Sequence, residues 1–280
     1  MGDILWLASY PKSGNTWMRI LLSNYLGDSA QPADINALDG AAISSSRDLF
    51  DGSVGVRSAS LPDETVERLR PEVYRHAARS VTTTIRIKAH DAYHHVPGGQ
   101  PLFPADVSRG ALYLVRDPRD VAVSSSHHAG RSVEAAVARL NDPAGALAAK
   151  HRGVQLPQRM GTWSEHLTSW VDQTDLPVHV VRYEDLLADT AGEFAAVLRF
   201  AGYEPDADRL RHAVDASSMS NLQAQEEAAS FRERPRRNTG RFFRRGVAGG
   251  WRDELAPELV RLVEDAHRDV MLRFGYLEPA

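Results

Sequence analysis

Ser9-Tyr10-Pro11-Lys12-Ser13-Gly14-Asn15-Thr16-Trp17 joins a short apolar run, Ile4-Leu5-Trp6-Leu7-Ala8, to a helix-like stretch from Thr16 to Leu26. That order reads as strand, tight turn, helix. The backbone N–H groups at the start of such a helix lack intrahelical partners, and the helix dipole favours an anion beside them. Lysine, serine, glycine and threonine packed into the turn make a phosphate the natural occupant. The turn does not match G-x-x-x-x-G-K-[ST], because Lys12 precedes Gly14 instead of following a glycine. The stretch therefore predicts a phosphate cradle of a different kind from that of ordinary ATPases and GTPases.

Working outward, three more segments read as buried strands of a parallel sheet, giving strands at 4–8, 81–88, 111–116 and 178–183. Helices are expected at 16–26, 62–79, 119–127, 162–174, 190–201, 205–215 and 254–273, with Pro62 and Pro118 at first turns and Gly27 and Gly202 as left-handed stops. Strand–helix alternation of this kind implies an α/β fold with a central, mostly parallel sheet flanked by helices. Residues 28–60, 91–108, 129–160 and 220–250 are poorly patterned and read as loops. No repeat or linker divides the chain, so residues 1–280 are read as a single domain.

Composition bounds the function. The 280 residues can bury a substantial core, and 42% hydrophobic with 25% charged residues is ordinary for a soluble protein. A net charge of −4 argues against a broad nucleic-acid surface, so phosphate recognition must come from local basic clusters. One such cluster is Arg232, Arg234, Arg236, Arg237, Arg241, Arg244 and Arg245. With no cysteine there is no disulfide framework and no thiol nucleophile. No window approaches the roughly 20 apolar residues of a membrane span. The N-terminal run lacks the basic flank of a secretory leader and reads as the first core strand, so a cytoplasmic protein is expected. His94-His95 and His127-His128 are adjacent pairs whose side chains diverge on regular elements, and no metal site is expected.

Two more motifs accompany the first. Ala111-Leu112-Tyr113-Leu114-Val115 runs into Arg116-Asp117-Pro118-Arg119-Asp120-Val121-Ala122-Val123-Ser124, again as strand, turn and helix. Phe243-Arg244-Arg245-Gly246-Val247-Ala248-Gly249-Gly250-Trp251 is a basic, glycine-containing loop. Together with residues 9–17 these segments resemble, in order and spacing, the soluble sulfotransferases that use 3′-phosphoadenosine 5′-phosphosulfate (PAPS). The resemblance spans residues 4 to 251, nearly the whole chain.

That resemblance implies roles. Lys12 would stabilise the bridging oxygen of the departing nucleotide, while Ser13, Gly14, Asn15 and Thr16 hold its 5′-phosphate. Asn15 stands where many members of the family have threonine. Trp17, Tyr183, Ser217 and its neighbour Ser218, and Met219 would surround the adenine, Met219 replacing an aromatic residue. Arg116 and Ser124 would bind the 3′-phosphate, for which a planar guanidinium is well suited, and Arg244, Arg245 and Gly246 would close over it. Gly250 stands where the family often has aspartate. Ile87-Lys88-Ala89-His90 resembles the family's Lys-Thr-His segment, with His90 as general base and Lys88 as a supporting cation.

The implied reaction is sulfuryl transfer from PAPS to a hydroxyl of a small-molecule acceptor, with the acceptor pocket shaped by the variable segments 28–60, 91–108 and 129–160. The compact N-terminal motif and long inserts are similar to bacterial sulfotransferases that tailor secondary metabolites, including antibiotics. A small-molecule or nucleotide kinase of related P-loop architecture is the alternative, although no Walker-B-like acid is apparent. A non-catalytic nucleotide-binding protein is the third reading, against which Lys12 and His90 both argue. The lysine-threonine-valine-glutamate dimer signature of animal relatives is absent, which leaves the oligomeric state open.

Overall fold

The computed structural model describes residues 2–38, 42–148, 153–235 and 240–279. Its strands are β1 (Ile4–Ser9), β2 (Ile85–Ala89), β3 (Ser108–Val115), β4 (Ala146–Leu147), β5 (Gln158–Arg159) and β6 (Val178–Arg182). Its helices are α1 (Asn15–Leu26), α2 (Arg47–Val54), α3 (Asp63–Arg79), α4 (Pro118–Ala129), α5 (Val133–Leu140), α6 (Trp163–Val171), α7 (Tyr183–Ala188), α8 (Thr190–Phe200), α9 (Ala207–Ala216), α10 (Met219–Ala229) and α11 (Pro257–Arg273). The central sheet is ordered β2-β1-β3-β6, and β4 pairs antiparallel with β5 in a separate two-stranded ribbon. β1 and β2 run parallel from Ile4 opposite Ile85 to Ala8 opposite Ala89. This is the central parallel sheet flanked by helices that the sequence implies.

Several boundaries differ from those expected. β2 begins at Ile85 and not at Val81. It ends the four-stranded order, and β1 starts at Ile4 opposite Ile85, so Val81–Thr84 lie ahead of the β1 ladder. β-branched residues alone do not make a strand without a ladder partner. Gly27 is extended (φ −70°, ψ 151°), not left-handed. The terminal carbonyls of α1 are capped instead by Arg209, whose guanidinium donates to the carbonyls of Tyr25 and Gly27 (both 3.0 Å). Gly202 does take the left-handed conformation (φ 86°). The segments read as loops contain α2, α5 and α10.

The described residues form two compact units. One comprises residues 1–10, 40–113 and 143–180. Its core is a cluster of rings: Trp6 meets Tyr74 at 5.0 Å and Phe103 at 4.8 Å, and Phe103 meets Trp170 at 4.6 Å. Beside them lies an ion pair out of contact with water. Arg70 donates to both carboxylate oxygens of Asp91 (2.9 and 2.7 Å), with side chains 1% and 0% exposed. The other unit comprises residues 11–39, 114–142 and 181–280. Its helices enclose Ile20, Ile35, Leu38, Leu222, Phe231 and Phe243, against which Trp17, Met219 and Phe242 pack.

Candidate functional site

Most of the residues singled out from sequence belong to the second unit. Three of its segments follow from chain order alone: the turn after β1, the turn after β3, and the basic loop before α11. In the first turn, Gly14 is the residue preceding α1 and is left-handed (φ 98°, ψ 6°), with no side-chain cap on the helix. A Cβ at Gly14 would lie 2.8 Å from the Tyr183 ring, so only glycine fits there. Lys12 is also left-handed (φ 74°), although it has a side chain. That conformation costs an L-residue on the order of 1–2 kcal/mol and is characteristic of functional turns. The Ser13 side chain is buried, and its hydroxyl has no hydrogen-bond partner among the described residues. A buried, orphaned hydroxyl is costly by roughly 1–3 kcal/mol unless a ligand satisfies it. Asn15 opens α1 and is buried, while Thr16 is half-buried in the first turn.

Lys12 points its ammonium across the ring of Phe242 (4.2 Å to the centroid) and to 3.4 Å from His128 Nδ1. Phe242 does not figure in the sequence reading, and His128 does so only as half of an adjacent pair not expected to bind a metal. The signal for His128 was available, because it lies four residues after Ser124 and therefore on the same face of α4. Ser124 itself is half-buried on that helix.

Arg116 follows the last residue of β3. Its guanidinium stacks over Tyr183 (4.4 Å), donates to the carbonyls of Lys12 (3.4 Å) and Val247 (3.0 Å), and lies 3.8 Å from the Asp120 carboxylate. Its Nε is buried and has no partner among the described residues. Arg116 thus joins the first turn to the basic loop. Tyr183 opens α7 and is not the strand end expected from sequence; burial raises its hydroxyl pKa, and the Arg116 charge opposes that rise. Trp17 meets Tyr183 edge-on (5.7 Å), and its indole N–H donates to the Ser217 carbonyl (3.1 Å). The Ser217 hydroxyl accepts from Asn24 (3.0 Å) in a buried position, and Ser218 precedes the first residue of α10, Met219. The Met219 methyl occupies the space that a Cβ on Gly246 would need, and Gly246 is left-handed (φ 60°).

Arg244 and Arg245 are the most exposed members of the group. Both pair with Glu254 (2.8 and 3.4 Å), and Arg245 also pairs with Asp253 (3.3 Å). Burial pushes the Glu254 carboxyl up, but hydrogen bonds from His127 and Arg244 outweigh it, so the pKa is lowered. Arg236 and Arg237 lie outside the described residues.

His90 belongs to the first unit, just past β2 and two residues after Lys88. Its Nδ1 lies 2.8 Å from the Ser9 carbonyl, which assigns the proton to Nδ1 and leaves Nε2 as the basic nitrogen. The His90 carbonyl accepts from His166 Nε2 (3.1 Å), and His166 Nδ1 accepts from the Tyr113 hydroxyl (2.7 Å). Burial depresses the His166 pKa to about 4, so this ring is neutral near pH 7. Sequence reading passed over His166, which sits inside α6 behind a capping box formed by Thr162 and Glu165. Among the described residues no group of three His, Asp or Glu side chains could hold a metal, and no helix is long and apolar enough to cross a membrane.

Comparison with known proteins adds the following. The model of the sulfotransferase domain family matches residues 3–275. The chain is 23% identical over 269 residues to cytosolic sulfotransferase 1 of Arabidopsis thaliana, covering 94% of this chain and 76% of that protein. It is 25% identical over 276 residues to the luciferin sulfotransferase of Photinus pyralis, covering 92% and 68%. Among solved structures it is similar to a mouse sulfotransferase complexed with PAP (TM-score 0.59, 19% identity, covering 96% of this chain and 84% of that one). It is also similar to retinol dehydratase in complex with androsterone and the inactive cofactor PAP (TM-score 0.62, 20% identity, covering 96% and 80%).

Proposed function

The chain belongs to the sulfotransferase domain family, and from that premise we propose that it moves a sulfuryl group from PAPS to a hydroxyl of a small-molecule acceptor. The observation that carries the reading is the environment of Arg116. A guanidinium with a buried, unsatisfied Nε bridges the phosphate-type turn and the basic loop, stacked on a tyrosine. The residues fit the nucleotide. Ser13 offers a buried hydroxyl without a partner among the described residues, and Gly14 leaves the gap that a side chain would fill. Trp17 and Tyr183 provide aromatic surface for a base.

PAPS supplies an activated sulfuryl group; the remaining chemistry is positioning and charge. His90 Nε2 takes the acceptor's hydroxyl proton, with Nδ1–H held on the Ser9 carbonyl so that the basic nitrogen keeps one orientation. The acceptor oxygen bonds to sulfur as the bond from sulfur to the phosphate oxygen breaks. The electron pair leaves with the nucleotide, where Lys12 stabilises the charge. Asn15 and Thr16 complete the turn around the 5′-phosphate. Ser124, Arg244, Arg245 and Gly246 complete the 3′-phosphate site, with Ser217 and Met219 at the adenine.

We read residues 1–280 as one sulfotransferase domain, because the family match runs through segments of both compact units. We propose the cytoplasm as its location and, as its acceptor, a hydroxyl-bearing secondary metabolite of bacteria, antibiotics included. Arabidopsis cytosolic sulfotransferase 1 supports the first of these, and the similarity of motif layout supports the second.

Incubation with sulfur-35-labelled PAPS and a panel of phenol, sterol and sugar acceptors, alongside labelled ATP with Mg²⁺, tests the assignment. Label should pass from PAPS to a hydroxyl acceptor, with none passing from ATP. Transfer from ATP without PAPS binding would overturn it.

A further inference from the structure

Asp120 has no role in the reading above, yet it sits where the two halves of the anion site meet. It belongs to the first turn of α4, four residues after Arg116, and is buried (3% exposed). One carboxylate oxygen accepts the Gly249 N–H (2.7 Å), and the other accepts the Trp251 N–H (2.9 Å). These are backbone donors at the start of the short 3₁₀ turn Gly250–Asp253, which Gly249 enters in the left-handed conformation (φ 76°). Asp120 therefore caps that turn from another part of the chain, as an aspartate at a helix start caps its own. Burial raises its pKa, and the Arg116 charge and both backbone bonds oppose that rise. Bonds from backbone N–H to an ionised carboxylate are among the stronger ones available to a loop.

The neighbouring contacts repeat the connection. Arg116 lies 3.8 Å from Asp120 and donates to the Val247 carbonyl, two residues before Gly249. Arg119 lays its guanidinium over the Trp251 ring (4.1 Å) while held by Asp117. Residues 116–120 thus hold residues 247–251 at three points. Only Asp120 binds the loop backbone twice and faces Arg116 as well.

Resting on the PAPS reading above, we propose that Asp120 is a positioning residue for recognition of the nucleotide's 3′-phosphate. It holds the loop carrying Arg244, Arg245 and Gly246 in place before the ligand arrives and aligns Arg116 with it. Without this clamp the loop must be ordered at the moment of binding, and that cost falls on ligands that engage it. A ligand lacking the 3′-phosphate does not engage the loop and escapes the cost.

The test compares PAP with 5′-AMP by titration calorimetry on the full chain. For Asp120→Ala, PAP should bind roughly 10- to 100-fold more weakly, as the loss of two charge-assisted bonds implies, with 5′-AMP changed less than about threefold. Hydrogen exchange across residues 246–253 should accelerate in the nucleotide-free variant. Asp120→Asn keeps the side chain's shape but offers one carbonyl oxygen for two donors, so it should show a smaller loss of the same kind if the alanine variant does not fold. PAP affinity within twofold of wild type, or equal weakening of PAP and 5′-AMP, would overturn the assignment. A wild-type protein that does not prefer PAP to 5′-AMP would instead overturn the PAPS reading itself, and the positioning role with it.

Discussion

The neutral, buried His166 makes stability depend on pH in a calculable way. Its pKa is about 4 in the folded chain against an ordinary value of 6.5, and burial is the main cause. The unfolded chain therefore binds the proton first on acidification. Between pH 6.5 and 4 the unfolded state holds more protons than the folded one, so stability rises with pH across that window and falls as pH drops through it. A displacement of about 2.5 pH units corresponds to roughly 3 kcal/mol, approached with a slope of at most about 1.4 kcal/mol per unit. Out of a typical 5–15 kcal/mol for a folded domain, that is a large share.

The perturbation that isolates this effect is His166→Gln, whose amide can still donate toward the His90 carbonyl but cannot titrate. Urea unfolding followed by tryptophan fluorescence at pH 7.5, 6.5, 5.5 and 4.5 gives the stability of each protein. Trp163 and Trp170 lie in the same helix as His166 and report its environment. The variant should be the less stable at pH 7.5, and the wild type should lose about 2–3 kcal/mol more than the variant by pH 4.5. Carboxylates such as Glu67, whose pKa is lowered with His94 and Arg70 beside it, titrate equally in both and cancel in the difference. Stability curves that stay parallel from pH 7.5 to 4.5 would refute the reasoning, because they would mean that His166 takes up its proton equally in both states.

Gly14→Ala should bind PAP at least about tenfold more weakly and lose on the order of 1–2 kcal/mol of stability, since the left-handed position and the Tyr183 ring both exclude a Cβ; unchanged PAP affinity by calorimetry would contradict the turn's role. Asp91→Asn removes the nearer and fully buried of the two carboxylates paired with Arg70 and should cost about 3–5 kcal/mol in urea unfolding, whereas Arg70→Met combined with Asp91→Leu should cost less than that. A single-variant cost below about 1 kcal/mol would show that the pair is not desolvated as described. His90→Ala should lower kcat by roughly 10²- to 10⁴-fold while PAP affinity stays at the wild-type value, and near-normal turnover at neutral pH would assign the base elsewhere.

What was legible in the sequence, and what was not, follows from how far along the chain each interaction reaches. Ile4–Ala8 with the turn to Trp17, and Ala111–Val115 with the turn to Ser124, are continuous units in which strand, phosphate-type turn and helix follow one another. Local pattern suffices for them, and both appear as β1 with α1 and β3 with α4. α2 and α5 escaped because each has eight residues, with Phe50 alone buried in the first and Ala136, Val137 and Leu140 in the second. So short a periodicity does not separate a helix from a loop, although the capping serines Ser46 and Ser132 stood in the sequence.

The partners of the site residues lay further from view. His128 beside Lys12, Asp120 beneath the basic loop and His166 behind His90 are joined to their counterparts across 116, 129 and 76 residues. No local rule pairs such distant residues, although the spacing from Ser124 does place His128 on the same face of α4. Each answers a need visible only in the structure: an ammonium on a left-handed lysine, a 3₁₀ turn without a side-chain cap of its own, and a histidine just past a strand end. Most buried polar groups in a folded chain have a hydrogen-bond partner. A motif that leaves donors or acceptors unprovided for is therefore itself a prediction that a ligand or a polar residue elsewhere in the chain will supply them, and Asp120, with both carboxylate oxygens on backbone N–H groups, fills that place for the basic loop.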